Sequence, residues 1–423
     1  MEKIKLGFLG LGQRGSGLLN NVLNYFTDVD VVALCDEYED RVQDAAAKVK
    51  EKRGVEPATY TNHSQLLQDP NVNTVIISAS WEAHVPLAIE AMENGKICGL
   101  EVGGGYSVED CWSLVHTWEK TKTPFMFLEN CCFGKEELVA TRMAREGKLG
   151  EVVYAHGAYG HDLRSEICGG VKNRHYRLRN YLIRNCDNYP THNLGPIAKL
   201  LNINRGNRML KLTSMASKAR GLNAYVQGKE EYAFLQDKQF AQGDVVCTNI
   251  LCADGSLISL KLDTTLPRAY SREFMISGTK GLFSVPDHVV LTDEIEFNHE
   301  MPISDYSGND KEIYEENLPA VWKNITQEQI DAGHGGMDTL TLQAFFGAAL
   351  SGAEMPIDVY DAASWMVITC LTEASIANGG MPIDIPDFTN GKWIDREPIR
   401  RGMYCLEEVC EECYEGLDEE VGE

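Results

Sequence analysis

Tyr189-Pro190-Thr191-His192 sets a phenol and an imidazole three residues apart. Histidine titrates near neutrality and is the side chain best suited to taking a proton from a hydroxyl group. If this stretch opens a helix, residues three apart share a face, so Tyr189 and His192 point into one pocket. Tyr159 is a further candidate base, because a phenol serves once positive charge or hydrogen bonds lower its pKa. Arg177 offers a planar fork of donors to ligand oxygens, and Tyr270 stands between Arg268 and Arg272. His161 and Asp162 follow Tyr159 closely. No carboxylate and histidine group has metal-ligand spacing, so no catalytic metal is expected.

A second set of residues points to a dinucleotide. Gly10-Leu11-Gly12-Gln13-Arg14-Gly15 follows an apolar run and precedes an amphipathic one. Glycines in that context make a tight turn and let backbone amides approach a pyrophosphate at a helix N-terminus. Asp36 ends the next apolar run, where a carboxylate accepts from ribose hydroxyls and disfavours a 2′-phosphate. NAD is therefore expected over NADP, although Arg41 lies close to Asp36 in sequence. Three further strand ends should face the same crevice, carrying Trp81 to His84, Glu101-Val102 and Glu129-Asn130.

The elements that must position these groups follow from periodicity. Strands are expected at 5–9, 29–35, 74–78, 97–101 and 125–128, alternating with helical stretches such as 86–93 and 108–119, the signature of a doubly wound parallel sheet. A helix at 135–146 extends this unit. After Gly150, β-type stretches at 152–159, 210–217, 244–252, 257–262 and 272–277 follow one another without helices between them, as in an antiparallel sheet open on one face. Helices return at 337–350 and 360–377. The expected fold is α/β: an N-terminal Rossmann domain over 1–148, then an α+β domain over 149–423 with an open, mainly antiparallel sheet. The helices at about 337–378 should pack near the junction.

With 423 residues, 43% of them hydrophobic, the chain can bury a large core. A net charge of -24 repels phosphate backbones and anionic membranes, which argues against nucleic-acid and lipid partners. The N-terminus has no signal-peptide pattern and no apolar run reaches about 18 residues, so a cytoplasmic protein without a membrane span is expected. Thirteen scattered cysteines fit reduced thiols, and Cys410 and Cys413 form a lone C-x-x-C without a second ligand pair. The acidic stretch from Glu407 to Glu423 reads as a solvated helix end or frayed terminus. An open apolar sheet face favours a homo-oligomer, a dimer or tetramer.

The segments Trp81-Glu82-Ala83-His84, Gly99-Leu100-Glu101-Val102, Leu128-Glu129-Asn130-Cys131-Cys132, Arg179-Asn180-Tyr181, Tyr189-Pro190-Thr191-His192, Asn204-Arg205-Gly206-Asn207-Arg208-Met209, Gly333-His334-Gly335-Gly336-Met337-Asp338 and Pro386-Asp387-Phe388 carry a resemblance that spans nearly the whole chain. It is to the glucose-fructose oxidoreductase and inositol dehydrogenase (Gfo/Idh/MocA) superfamily and, within it, to glycoside hydrolase family 109, the NAD-dependent α-N-acetylgalactosaminidases. The resemblance implies substrate contacts at Tyr159, Arg177, Tyr189, His192 and Tyr270, with Glu129 close by. It implies NAD contacts at the Gly10, Gly12 and Gly15 turn, Gln13, Arg14, Asp36, Trp81, His84, Glu101, Val102 and Asn130. Sugar dehydrogenases of the superfamily place a catalytic lysine where this chain has Val102. Family 109 members commonly read Glu-Val-Pro where this chain has Glu101-Val102-Gly103, and many carry an export signal.

Glycosidic bonds are usually cleaved by two carboxylates, but tightly bound NAD opens another route. Oxidation of the sugar C3 hydroxyl makes the C2 hydrogen acidic; a base removes it and the aglycone leaves from C1. Water adds at C1, and re-reduction at C3 regenerates NAD. In this scheme the catalytic groups are His192 at the C3 hydroxyl, Tyr189 beside it, and Tyr159 at C2, acting on a small glycoside. The rival expectation is an NAD(P)-dependent sugar or polyol dehydrogenase with net NADH formation.

Overall fold

Buried apolar runs build a six-stranded parallel sheet from β1 (Ile4–Leu9), β2 (Val29–Cys35), β3 (Ala58–Tyr60), β4 (Thr74–Ile77), β5 (Ile97–Leu100) and β6 (Phe125–Phe127). The order is β3-β2-β1-β4-β5-β6, and every adjacent pair is parallel. The chain thus reverses its winding direction between β1 and β4, which opens a crevice at the carboxyl ends of those strands. The computed structural model describes residues 3–295, 298, 300–399, 404–407 and 409. The expected strands of this sheet lie within a residue of those observed. The short edge strand β3 was not expected, because three half-exposed residues carry no periodic signal.

The second sheet has eight strands: β7 (Val152–Gly160), β8 (Met209–Ala216), β9 (Val245–Cys252), β10 (Leu257–Asp263), β11 (Met275–Gly278), β12 (Gly281–Ser284), β13 (Val289–Thr292) and β14 (Ile383–Asp384). Their order is β13-β12-β11-β7-β10-β9-β8-β14, parallel at β7 and β10 and antiparallel elsewhere. β11 starts three residues later than expected, since Glu273 takes a left-handed φ of 45° that interrupts an extended strand. Side chains in β9 alternate strictly between buried and exposed. The covered face packs on the helix Thr191–Leu200, whereas Val153, Met215, Leu251 and Leu257 are exposed.

Between the sheets run two helices apolar on nearly all sides, as expected of buried helices. Met337–Ser351 packs on the helix Gln13–Tyr25 and on β1. Val359–Ala377 packs on the helix Val108–Thr121, on β6 and on β8, and so touches both sheets. Among the described residues, no helix is long and apolar enough to cross a membrane.

The helix Thr191–Leu200 ends in a buried ionic knot. Lys199 Nζ donates to Asp361 and to Glu407, each at 2.7 Å, and Arg205 pairs with Asp361 at 2.9 Å and Glu407 at 3.2 Å. Glu407 is therefore not the solvated start of an acidic tail, as expected from composition. Two buried cations draw it inside, because neither can be desolvated without counter-charge. Apart from Val409, the rest of that stretch, with Cys410 and Cys413, lies outside the described residues. Removing one member of a buried ion cluster strands the others, so Glu407→Ala should cost about 3–5 kcal/mol in denaturant unfolding. A loss below about 1 kcal/mol, the range of an exposed ion pair, would show that the knot is solvated.

Candidate active site

The crevice at the switch point continues into a cavity of about 1150 Å³ that reaches the covered face of the second sheet. Its inner end is an aromatic wall. Tyr159 comes from β7 and Tyr189 from the loop before the His192 helix, with ring centroids 4.6 Å apart. His192 meets both edge-on, at 5.5 Å from Tyr159 and 4.8 Å from Tyr189. The helix begins at Thr191 rather than at Tyr189. A residue preceding proline is pushed out of the helical region, so Pro190 keeps Tyr189 outside the helix. Tyr189 is held instead by Asp187, whose Oδ1 accepts from its amide at 3.3 Å. Burial pushes the Asp187 carboxyl up to about 7.

His192 Nδ1 lies 2.6 Å from Glu129 Oε1. Glu129 is fully buried in the turn after β6 and also accepts from the Cys131 amide at 3.1 Å. Burial pushes its carboxyl up, but His192 and the Cys131 amide outweigh that and hold it below the ordinary carboxylate range. Glu129 thus stands behind His192 and does not line the cavity. It orients the ring and leaves Nε2 for a ligand, as a carboxylate does behind a catalytic imidazole. The turn can lie this close because the helix carries Gly195 there: a Cβ would stand 3.0 Å from Glu129 Cγ and 3.1 Å from Cys132 Sγ.

Glu129, Cys131 and His192 also bring one potential metal-ligand atom each to within 4.8 Å of the others. Glu129 and His192 are engaged with each other.

Arg177 roofs this wall, its guanidinium 5.0 Å from the ring centres of both Trp81 and Tyr189. Its Nε lies 2.7 Å from Glu166 Oε1 as an ion pair, and neither buried Nε nor buried Nη1 makes a hydrogen bond, leaving donors for a ligand oxygen. Burial raises the Tyr159 phenol and Arg177 opposes this only in part. The expected lowering by positive charge is therefore outweighed by desolvation. Tyr159 Oη faces His161 Nδ1 at 3.5 Å. Tyr270 is 49% exposed and stands one layer out, its ring 5.2 Å from His161.

The other end of the cavity fits NAD. Gly10 has a φ of +92°, and a Cβ on Gly15 would stand 2.1 Å from Gly10 O, so the turn is closed against side chains. The helix Gln13–Tyr25 starts without a side-chain cap or a first-turn acid, leaving its amides to a phosphate group. Asp36 lines the cavity, oriented by the Leu11 amide at 2.7 Å and the Tyr38 amide at 3.0 Å. Gly12, Gln13, Arg14, His84, Glu101, Val102 and Asn130 line it too.

His84 Nε2 meets Ala79 O at 3.1 Å, and burial pushes its pKa down to about 4, so the ring is neutral. Arg14 bridges Glu101 at 2.7 Å and Asp338 at 2.6 Å, and Asn130 Nδ2 donates to Asp338 at 2.7 Å. Sequence reasoning missed Asp338, His161 and Glu166 as site residues; the only trace of Asp338 was its motif at a helix start.

Residues 133–395 match the family described as glycosyl hydrolase 109, C-terminal domain, and residues 4–127 match the oxidoreductase family with an NAD-binding Rossmann fold. The chain is 36% identical to an alpha-N-acetylgalactosaminidase of Tannerella forsythia, with 93% of this chain and 88% of that protein covered. It is also 36% identical to a glycosyl hydrolase family 109 protein of Stenotrophomonas maltophilia (strain K279a), covering 94% and 92%. The chain belongs to glycoside hydrolase family 109. Its fold is that of scyllo-inositol dehydrogenase from Lactobacillus casei, solved with bound NAD(H) and scyllo-inositol. That structure has a TM-score of 0.63 and 16% identity, with 90% of this chain and 99% of that one covered. Myo-inositol 2-dehydrogenase from Lactobacillus plantarum gives a TM-score of 0.62 at 16% identity, covering 91% and 100%.

Within this family 109 enzyme, Gly103 has a steric reason. A Cβ there would stand 2.6 Å from Trp81 Cδ1 and 3.1 Å from His84 Nδ1. Trp81 cannot retreat, since Tyr176 at 4.7 Å and Tyr189 at 5.5 Å stand against its ring. Gly103→Ala should therefore overpack the wall and cost about 1–3 kcal/mol in denaturant unfolding. An unchanged midpoint would show that Trp81 has room to move.

Proposed function

We propose that this chain hydrolyses N-acetylgalactosaminides or related small glycosides by oxidation at C3, elimination across C1 and C2, water addition and re-reduction, with tightly bound NAD regenerated at each turnover. The observation that carries the reading is the His192–Glu129 pair at 2.6 Å in a cavity continuous with the dinucleotide crevice. His192 takes the C3 hydroxyl proton through Nε2 and later returns it, while Glu129 stabilises the imidazolium in between. Tyr189 walls the sugar against His192, and Arg177 donates to its oxygens through Nη1. Burial keeps the Tyr159 phenol protonated, so it takes the C2 proton only after passing its own O–H proton to His161 Nδ1, 3.5 Å away. Tyr270 borders the outer rim, on the aglycone side.

The dehydrogenase reading is weaker, because Val102 offers no proton-transfer group at the end of β5 and the relatives covering nearly the whole chain are glycosidases by name. Residues 1–148 would serve as the NAD domain and 149–423 as the substrate and oligomerisation domain. The exposed Met215, Leu251 and Leu257 on the open sheet favour a dimer or tetramer.

With nitrophenyl N-acetyl-α-galactosaminide, the enzyme should release nitrophenol without lasting NADH absorbance. His192→Ala should lower kcat about 10²- to 10⁴-fold while NAD stays bound, and Glu129→Gln should also lower it strongly. Wild-type turnover in both variants would overturn the assignment.

A further inference from the structure

The NAD groove has a roof that none of its floor residues supply. Three short helices, Arg164–Cys168, Gly170–Asn173 and Arg177–Ile183, cross from the second sheet to the first. Gly170, Val171, Asn173 and Arg174 line the cavity together with Gly12, Asp36 and Tyr38. The roof is fastened to the first sheet's helices at two places. At one, Arg174 grips Asp40 with two bonds of 2.9 and 2.7 Å, and Arg41 donates to Asn173 O at 3.1 Å. Both guanidiniums also sit on the Tyr38 ring, Arg174 at 4.4 Å and Arg41 at 4.8 Å. At the other, Arg179 grips Glu82 at 2.5 and 2.7 Å, and Tyr106 donates to Asn180 Oδ1 at 2.5 Å.

At the tip, 170–174, the fastening is a surface charge pair, with Arg174 37% and Asp40 63% exposed, whereas the flanking parts carry buried Ile167, Leu178 and Tyr181, and Tyr176 packs on Trp81. Segments held this way open far more readily than a core does. An enzyme that returns its NAD to the oxidised state needs the cofactor to enter once and leave rarely. We infer that residues 170–174 are a clasp over the NAD groove, and that the Arg174–Asp40 pair sets the rate at which NAD escapes. The inference rests on the reading that NAD is retained through turnover.

The test is the NAD content of purified holoenzyme, followed over time after dilution into nucleotide-free buffer. Asp40→Arg and Arg174→Asp should each speed escape up to roughly fivefold, the range an exposed ion pair supports. The two together re-form the pair with reversed charge and should restore slow escape. Arg174 has a φ of 52°, a conformation aspartate tolerates well, so the swap suits the backbone. Raised salt should speed escape from the wild type, and added NAD should restore turnover in the single variants. If the wild type holds NAD and all variants lose it at the wild-type rate, the clasp is wrong. Escape that stays fast in the swap overturns the pairing. Wild-type protein that purifies without nucleotide overturns the retention reading itself, and the clasp with it.

Discussion

A buried hydrogen bond between an imidazole and a carboxylate, His192 to Glu129, joins the two sheets of this enzyme at the inner end of the cavity. Glu129 belongs to the turn after β6 of the parallel sheet, and His192 to the helix laid across β7 of the mixed sheet. Glu129 is fully buried, and a buried carboxylate left without a partner costs several kcal/mol. The surrounding structure serves that pair. The Lys199 and Arg205 knot fixes the far end of the His192 helix, Gly195 admits the Glu129 turn, and Asp187 fixes Tyr189 outside the helix.

At the end of β5 stands Val102, which offers no proton-transfer group. His192, on a helix laid on the second sheet, faces the crevice from the other side. Glu101 holds Arg14, which also binds Asp338. The dinucleotide turn and the His192 wall thus stand on opposite sides of one cavity.

Much of this was legible in the sequence where the signal is local. Parallel strands buried on both faces read as continuous apolar runs, and the turn from Gly10 to Gly15 with Asp36 at the next strand end identified the crevice. The three-residue spacing of Tyr189 and His192 brought the right side chains together, although Pro190 starts the helix later than the spacing implied. What escaped was long-range or aperiodic. Asp338 meets Arg14 across 324 positions, and Glu407 looks like any other acid in an acidic stretch until Lys199 and Arg205 surround it. Glu129 read as a ligand contact rather than as the residue behind His192. The roof over the groove consists of short polar helices between 164 and 183, and they have too few turns to show a period.

The most direct test of the account is hydrolysis of a nitrophenyl N-acetylgalactosaminide in deuterated water, with the released sugar analysed at C2. Elimination and readdition of water require exchange there, so the account predicts deuterium at C2 with no net NADH. Released sugar that keeps its original hydrogen at C2 would mean direct displacement at C1 and would contradict it.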